Sequence, residues 1–204
     1  MWTTPALPGE ETNISKAVEK RKREFRAGRH CAHQALTQLL GDAPESQRAI
    51  RIGKSRGPCW PSGVVGSISH SGEHCSAAVA LSQNILSLGH DIEQARPLDT
   101  NVYNMICTQN ERDFLARHQH TELPLSTLIF SAKESIHKAY SPLNDHMLDF
   151  LDAELTINLE EQTFLAHIIN PKAKPAYNIT EMAGRFCIDG GYIYTGIYIR
   201  PNEL

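Results

Sequence analysis

Three carboxylates and two lysines, gathered in two short stretches, are of the types that handle phosphate. In SLGHDIE, Asp91 and Glu93 lie two residues apart, so on a strand they point to the same side. Carboxylates so placed repel each other unless a cation lies between them. Glu134 of FSAKESIHKAY would complete an all-oxygen set suited to Mg2+. A plainer reading stands beside this one. D-I-E is also how a strand runs into a charged turn, and Glu134 with Lys138 is also an i,i+4 surface pair, worth a few tenths of a kcal/mol. GSISHSG, Gly66 to Gly72, offers hydroxyls, an imidazole and backbone N–H groups to a phosphate, or is a tight turn with a surface histidine. From Lys16 to Arg29 seven basic residues, including Arg21 and Arg29, face only Glu19 and Glu24. That excess suits a phosphate, to which Lys54 and Arg56 of a later loop could add, although a solvated basic helix face is the commoner cause of such a run.

The elements that must position these groups read as helix, strands, helices, strands. Ile14 to Leu40 has helical character and Gly41 is a stop. Asp42 to Gly63 is irregular and punctuated by Gly and Pro. VVGSISH, SAAVALS and ILSLGHDIE follow with short links and suggest an antiparallel meander. Thr108 and Glu111 form a capping box that starts a helix, and a longer helix spans Pro124 to Tyr140, closed by Ser141-Pro142. On it Leu128, Ile129, Ala132, Ile136, Ala139 and Tyr140 fall within about 60° of one line, which is a core stripe. Glu134 lies opposite, flanked by Ser131 and Lys138 on one side and by Phe130 and His137 on the other. Phe130 sits on that face as if something covered it. AELTINL, TFLAHII, RFCI and GYIYTGIYI read as strands, the last two joined by a DGG turn. The class is α+β, with a helix-then-sheet unit that occurs twice.

Composition narrows the chemistry. The chain has 204 residues, of which 41% are hydrophobic and 21% charged, with a net charge of -3. Nothing global favours nucleic acid or an anionic membrane, so any anion site must be local. The five cysteines are scattered and lack a C-x-x-C pair, which argues for reduced thiols in a reducing cytoplasm and against a disulfide frame. The start, MWTTPALPGEET, does not read as a signal peptide, and no stretch approaches the length of a membrane span. Ten histidines show no H-E-x-x-H spacing, and G-x-S-x-G, GxGxxG and the P-loop pattern are all absent.

Taken in order, GSISHSG, LGHDIE and FSAKESIHKAY resemble the signature of the larger, surfactin-synthetase-activating 4′-phosphopantetheinyl transferases. GKSRGPCWPSGVVGSISH and EFRAGRHCAHQAL look more narrowly like the enterobactin-synthase D-component branch. The pattern [FW]-[SC]-x-K-E-[SA]-x-x-K is complete from Phe130 to Lys138, whereas G-[IV]-D carries His90 in its middle place. On a strand that side chain points opposite to Asp91, so a structural change is expected, with tuning of the site by pH as the alternative. The resemblance implies a pseudo-dimer of two similar α+β halves, residues 1–86 and 87–204, with coenzyme A bound in the cleft between them. It implies Asp91, Glu93 and Glu134 as Mg2+ ligands, and Lys133 and Lys138 beside the pyrophosphate. Ser69 and His70 would lie at the nucleotide end, and Arg21, Arg29 and Arg56 at the 3′-phosphate or adenine. The implied reaction is attack by a carrier-protein serine on the β-phosphate of coenzyme A, with 3′,5′-ADP leaving and Glu134 as the base, kept ionised by Lys138. The implied partners are apo carrier domains of peptide or siderophore synthases, and the implied state is a cytoplasmic monomer. A non-catalytic coenzyme A or nucleotide-binding module is the alternative, and a nucleic-acid binder using the basic helix is disfavoured by the net acidity.

Overall fold

The computed structural model describes residues 2–41, 44, 48–53, 57–170 and 175–202. Its first helices are α1 (Pro8–Glu11) and α2 (Glu19–Leu40). The helix expected from Ile14 begins later because Val18 is extended, with ψ 155°, and breaks the preceding turn. Gly41 ends α2 at φ 66°, a conformation that glycine adopts without penalty. Two short strands, β1 (Arg51–Ile52) and β2 (Pro58–Cys59), form a small ribbon. The hairpin of β3 (Val64–Ser71) and β4 (His74–Leu81) follows. The apolar side of α2 closes over this hairpin, burying Ala32 and Leu36 with Ile50 and Val64.

The rest of the chain builds a larger layer. It contains β5 (Ser87–Gln94), α3 (Thr100–Ile106), α4 (Gln109–Arg117) and α5 (Leu125–Asn144). Four strands complete it: β6 (Ala153–Asn158), β7 (Thr163–Ile168), β8 (Glu181–Asp189) and β9 (Tyr192–Ile199). They form one antiparallel sheet in the order β5-β9-β8-β7-β6. The six stripe residues of α5 are all at most 1% exposed and meet Phe164, Met182, Ile193 and Ile197 from the sheet. The capping box forms as expected, with Thr108 Oγ1 accepting from the Glu111 N–H and Glu111 accepting from the Thr108 N–H. Pro142 does not close α5. It removes one helical donor near the end, and the helix continues to Asn144 because Leu143 still packs on the core. Phe130 is covered after all, by Phe150 of the turn after α5, with ring centroids 5.6 Å apart.

The three-stranded meander does not form. β4 pairs with β3 alone, and β5 crosses to β9, with Asp91 opposite Thr195. The free edge of β5 is met by side chains. Ser67 Oγ accepts from the His90 N–H at 3.1 Å, and Ser69 Oγ accepts from the Ile92 N–H at 3.2 Å. Hydroxyls spaced two apart on β3 thus do what a backbone ladder would otherwise do.

On its other face β5 lies hard against α5. A Cβ built on Gly89 would fall 1.9 Å from the Ser135 carbonyl oxygen and 2.9 Å from the Ala139 nitrogen. Only glycine admits this approach, which sets Asp91 and Glu93 beside the helix. Gly89→Ala should therefore cost about 3 kcal/mol in urea unfolding, the upper range of overpacking. Gly196→Ala, where nothing lies within 4 Å, should change stability by less than about 0.5 kcal/mol.

Candidate active site

The seam between β3, β5 and α5 gathers the polar groups. Asp91, 3% exposed, accepts from Ser69 Oγ and Lys138 Nζ at Oδ1, both at 2.7 Å, and from Ser131 Oγ at Oδ2, at 2.9 Å. Lys138 Nζ also donates to Ser69 Oγ and to the His90 carbonyl, each at 3.2 Å. Glu93 accepts from Ser71 Oγ at 2.9 Å. Ser67, Ser69 and Ser71 therefore all reach β5, a period-two signal that is visible in the sequence. Ser131 and Thr195, hydrogen-bonded to each other beneath Asp91, were not singled out by the residue pattern. Their hydroxyls carry meaning only once α5 and β9 are packed against β5.

Burial works against the two glutamates. The pKa of Glu93 is raised chiefly by desolvation, with the Asp91 and Glu134 charges pushing the same way and Ser71 and Lys138 opposing. Glu134 is also raised, first by burial and then by Asp91, against the pull of Lys138. The expectation that Lys138 keeps Glu134 ionised is thus outweighed by desolvation. His90 does face away from Asp91, and its Nε2 meets Ser76 Oγ at 2.7 Å. Burial pulls its pKa down to about 4, so the ring is neutral at physiological pH.

The charges of Asp91, Glu93 and Glu134 act on one another with Lys138 to offset them, which leaves net negative charge on hard oxygen donors. That donor set fits a hard divalent cation. In this conformation the Asp91 oxygens are filled by hydroxyls and Lys138. Among the described residues no three His, Cys, Asp or Glu side chains converge as ligands.

Lys133 is a correction to the sequence expectation. Its ammonium points away from this group and is 2% exposed. Its donors go to Glu111 Oε2, the Ile106 carbonyl and the Phe150 carbonyl, at 2.7, 2.8 and 2.7 Å. An ammonium has three donors, and here all three are spent at a nitrogen sealed from solvent; Lys138 also makes three such bonds, but two are long at 3.2 Å and its side chain is 25% exposed. Glu111 is itself filled, since Oε1 accepts from the Leu155 N–H at 2.8 Å.

At the N-terminal end of α2, exposed Arg21 and half-buried His70 approach the same carboxylate, Glu24, at 3.8 and 3.9 Å. Arg29 lies deeper, 6% exposed, over the Phe25 ring at 4.6 Å and 3.7 Å from Glu10. Its Nε is buried without a hydrogen bond, and its pKa is lowered by desolvation. Arg56 and Lys54 lie outside the described residues. A cleft of about 670 Å³ opens beside Glu93, lined by Lys20, Ser71, Arg96 and Thr127 among others. A second, of about 350 Å³, is lined by Glu134, His137, Leu148 and Phe150.

A charge buried at a cost is a stability liability. Because the folded-state pKa of Glu134 lies above its unfolded value, folding is favoured below the ordinary pH 4.5 and loses ground as pH rises through the shifted value. In metal-free buffer at neutral pH, Glu134→Gln should therefore melt higher than the parent. The difference should vanish in acid, read from Tm against pH.

The sequence matches the 4′-phosphopantetheinyl transferase N-terminal domain over residues 9–80 and the 4′-phosphopantetheinyl transferase superfamily over residues 87–189. It is 36% identical to the 4′-phosphopantetheinyl transferase Npt of Nocardia iowensis, covering 94% of this chain and 88% of that one. Svp of Streptomyces mobaraensis, another 4′-phosphopantetheinyl transferase, is 35% identical over 95% of this chain and 78% of its own. Enterobactin synthase component D of Salmonella typhi is 37% identical over a shorter span, 63% of this chain and 52% of its own. With matches across both parts of the fold and relatives aligned over nearly its whole length, the chain belongs to the 4′-phosphopantetheinyl transferase superfamily.

Proposed function

We propose that this chain is a Mg2+-dependent holo-carrier-protein synthase. It moves the 4′-phosphopantetheine of coenzyme A to a serine of an apo carrier domain and releases 3′,5′-ADP. The observation that carries the reading is the Asp91–Lys138 ion pair at the seam, with the Glu93 and Glu134 carboxylates close enough to feel its charges. A domain division at 86/87 follows the same seam. A cytoplasmic monomer serving siderophore or related nonribosomal peptide synthesis fits the likeness to enterobactin synthase component D.

Asp91, Glu93 and Glu134 would hold the ion, which when bound supplies positive charge to the pyrophosphate oxygens. The chain's own residues do the rest. Glu134, whose carboxylate makes no hydrogen bond among the described residues and whose pKa is raised by burial, takes the proton from the attacking serine hydroxyl. A base shifted toward neutral pH is better matched to that task than an ordinary carboxylate. Lys138 places an ammonium beside Asp91 and steadies charge building on the departing phosphate. Ser69 holds Asp91 and Lys138 in register with Ile92, which limits wandering of the reacting geometry. Arg21, Arg29 and His70 suit the nucleotide phosphate, the orphaned Nε of Arg29 being a donor in want of an acceptor. Lys133 has no part in this reading, because its donors are spent within the fold and its ammonium is sealed from solvent. A pure coenzyme A-binding module would not need three carboxylates in the path of a phosphate.

The test is to mix protein, coenzyme A, Mg2+ and apo carrier domains and to weigh the carriers. A gain of one phosphopantetheine per carrier is expected. Glu134→Gln and Asp91→Asn should fold and bind coenzyme A while losing at least about 100-fold in transfer rate, the scale of general base catalysis. Robust transfer by either variant overturns the site assignment, and coenzyme A binding without transfer by the parent leaves the binding module. His90→Ile should keep the parent pH profile between pH 6 and 9, because a ring with a pKa of about 4 does not titrate there.

A further inference from the structure

Two thiols outside the proposed mechanism meet between α2 and the hairpin. Cys31, near the middle of α2, and Cys75, in β4, are 44 residues apart in sequence and both half-buried. Cys31 Sγ donates to the Cys75 carbonyl oxygen at 3.4 Å, which sets its thiol beside Cys75. The other cysteines are placed differently: Cys59 and Cys187 are exposed, and Cys107 is sealed in the large core.

We propose that Cys31 and Cys75 form an oxidation site that takes small disulfides of the glutathione class and closes reversibly to a Cys31–Cys75 disulfide. The inference is independent of the transfer reaction. Cys31 is the attacking sulfur. The Cys75 side chain beside it lowers its pKa to about 7, and that of Cys75 is raised in turn, so Cys31 is the thiol that ionises first. In the first step the Cys31 thiolate bonds to one sulfur of the oxidised tripeptide, and the other sulfur leaves as a thiolate. In the second step Cys75 gives up its proton and attacks Cys31 sulfur, displacing the second tripeptide as a thiol. Two protein thiols are oxidised and one small disulfide is reduced to two thiols. To form the bond of about 2.05 Å, the Cys31 sulfur turns from the Cys75 carbonyl to the Cys75 sulfur.

The link would join α2 to β4, the strand paired with the one that carries His70. Arg29 stands two residues before Cys31, and His70 is the register partner of Cys75 on β3. Next to Cys75, Ser76 holds His90 and the His74 ring lies on Tyr192 at 3.8 Å, so β4 also touches the larger sheet here. Cross-linking would fix α2 on a strand whose side chains touch the larger sheet.

The experiment equilibrates the reduced, full-length protein with oxidised glutathione, blocks remaining thiols with a maleimide, and maps peptides by mass. The expected product joins the Cys31 and Cys75 peptides, two hydrogens lighter, while Cys107 stays reduced, and dithiothreitol reverses it. Cys75→Ser should trap Cys31 as a stable glutathione adduct, and Cys31→Ser should leave Cys75 unmodified. Because both serines keep a hydrogen-bonding group, circular dichroism should match the parent. Recovery of Cys31 and Cys75 as maleimide adducts under conditions that glutathionylate exposed Cys59 and Cys187 overturns the proposal. So does equal modification of Cys75 in Cys31→Ser.

Discussion

Two sheets that meet without sharing a ladder leave backbone donors at the junction, and burying them unpaired would cost about 1–3 kcal/mol each. Here the His90 and Ile92 N–H groups are that debt, and the hydroxyls of Ser67 and Ser69 settle it. The same hydroxyls then act twice. Ser69 accepts from the strand and donates to Asp91, so the join between the parts and the aim of the carboxylate are one hydrogen-bond network. Ser71 repeats the arrangement one step on with Glu93. On the opposite side of β5, Gly89 lets α5 approach until Ser131 reaches Asp91 and Lys138 can lie across it. The site is a consequence of how the strand is held from both faces.

The electrostatics of the seam have the same character. A buried carboxylate with good partners stays where it is put, as Asp91 does among Ser69, Ser131 and Lys138. Glu93 and Glu134 are less well compensated, and burial raises them both. Such frustration stabilises nothing in the folded chain; it creates affinity for whatever positive charge completes the group. Arg29 on α2 shows the mirror image, a desolvated cation with a donor unspent.

Much of this was legible in the residue pattern. The α5 stripe, the Thr108–Glu111 capping box and the carboxylate spacing of Asp91 and Glu93 each follow from local periodicity, which packing left unchanged. What failed was non-local. The partner of β5 lies a hundred residues downstream in β9, and the short links that suggested a meander say nothing about it. Val18 and Pro142 misled in opposite directions: one breaks a pattern that looked continuous, and the other is absorbed by a helix held down by its core face. Lys133 and Lys138 are alike in the sequence, yet a difference of 500° along α5 sends one to Glu111 and the other to Asp91.

The Lys133–Glu111 pair changes how the sequence pattern itself should be read. Two neighbouring letters of Phe130 to Lys138 answer to different needs. Glu134 lies within reach of the Asp91 and Lys138 charges, while Lys133 ties the end of α3, the first turn of α4 and the turn after α5 to one nitrogen. Truncating Lys133 strands one carboxylate and two carbonyls in the interior, so an inactive protein from that change reports a loosened scaffold and carries no information about phosphate.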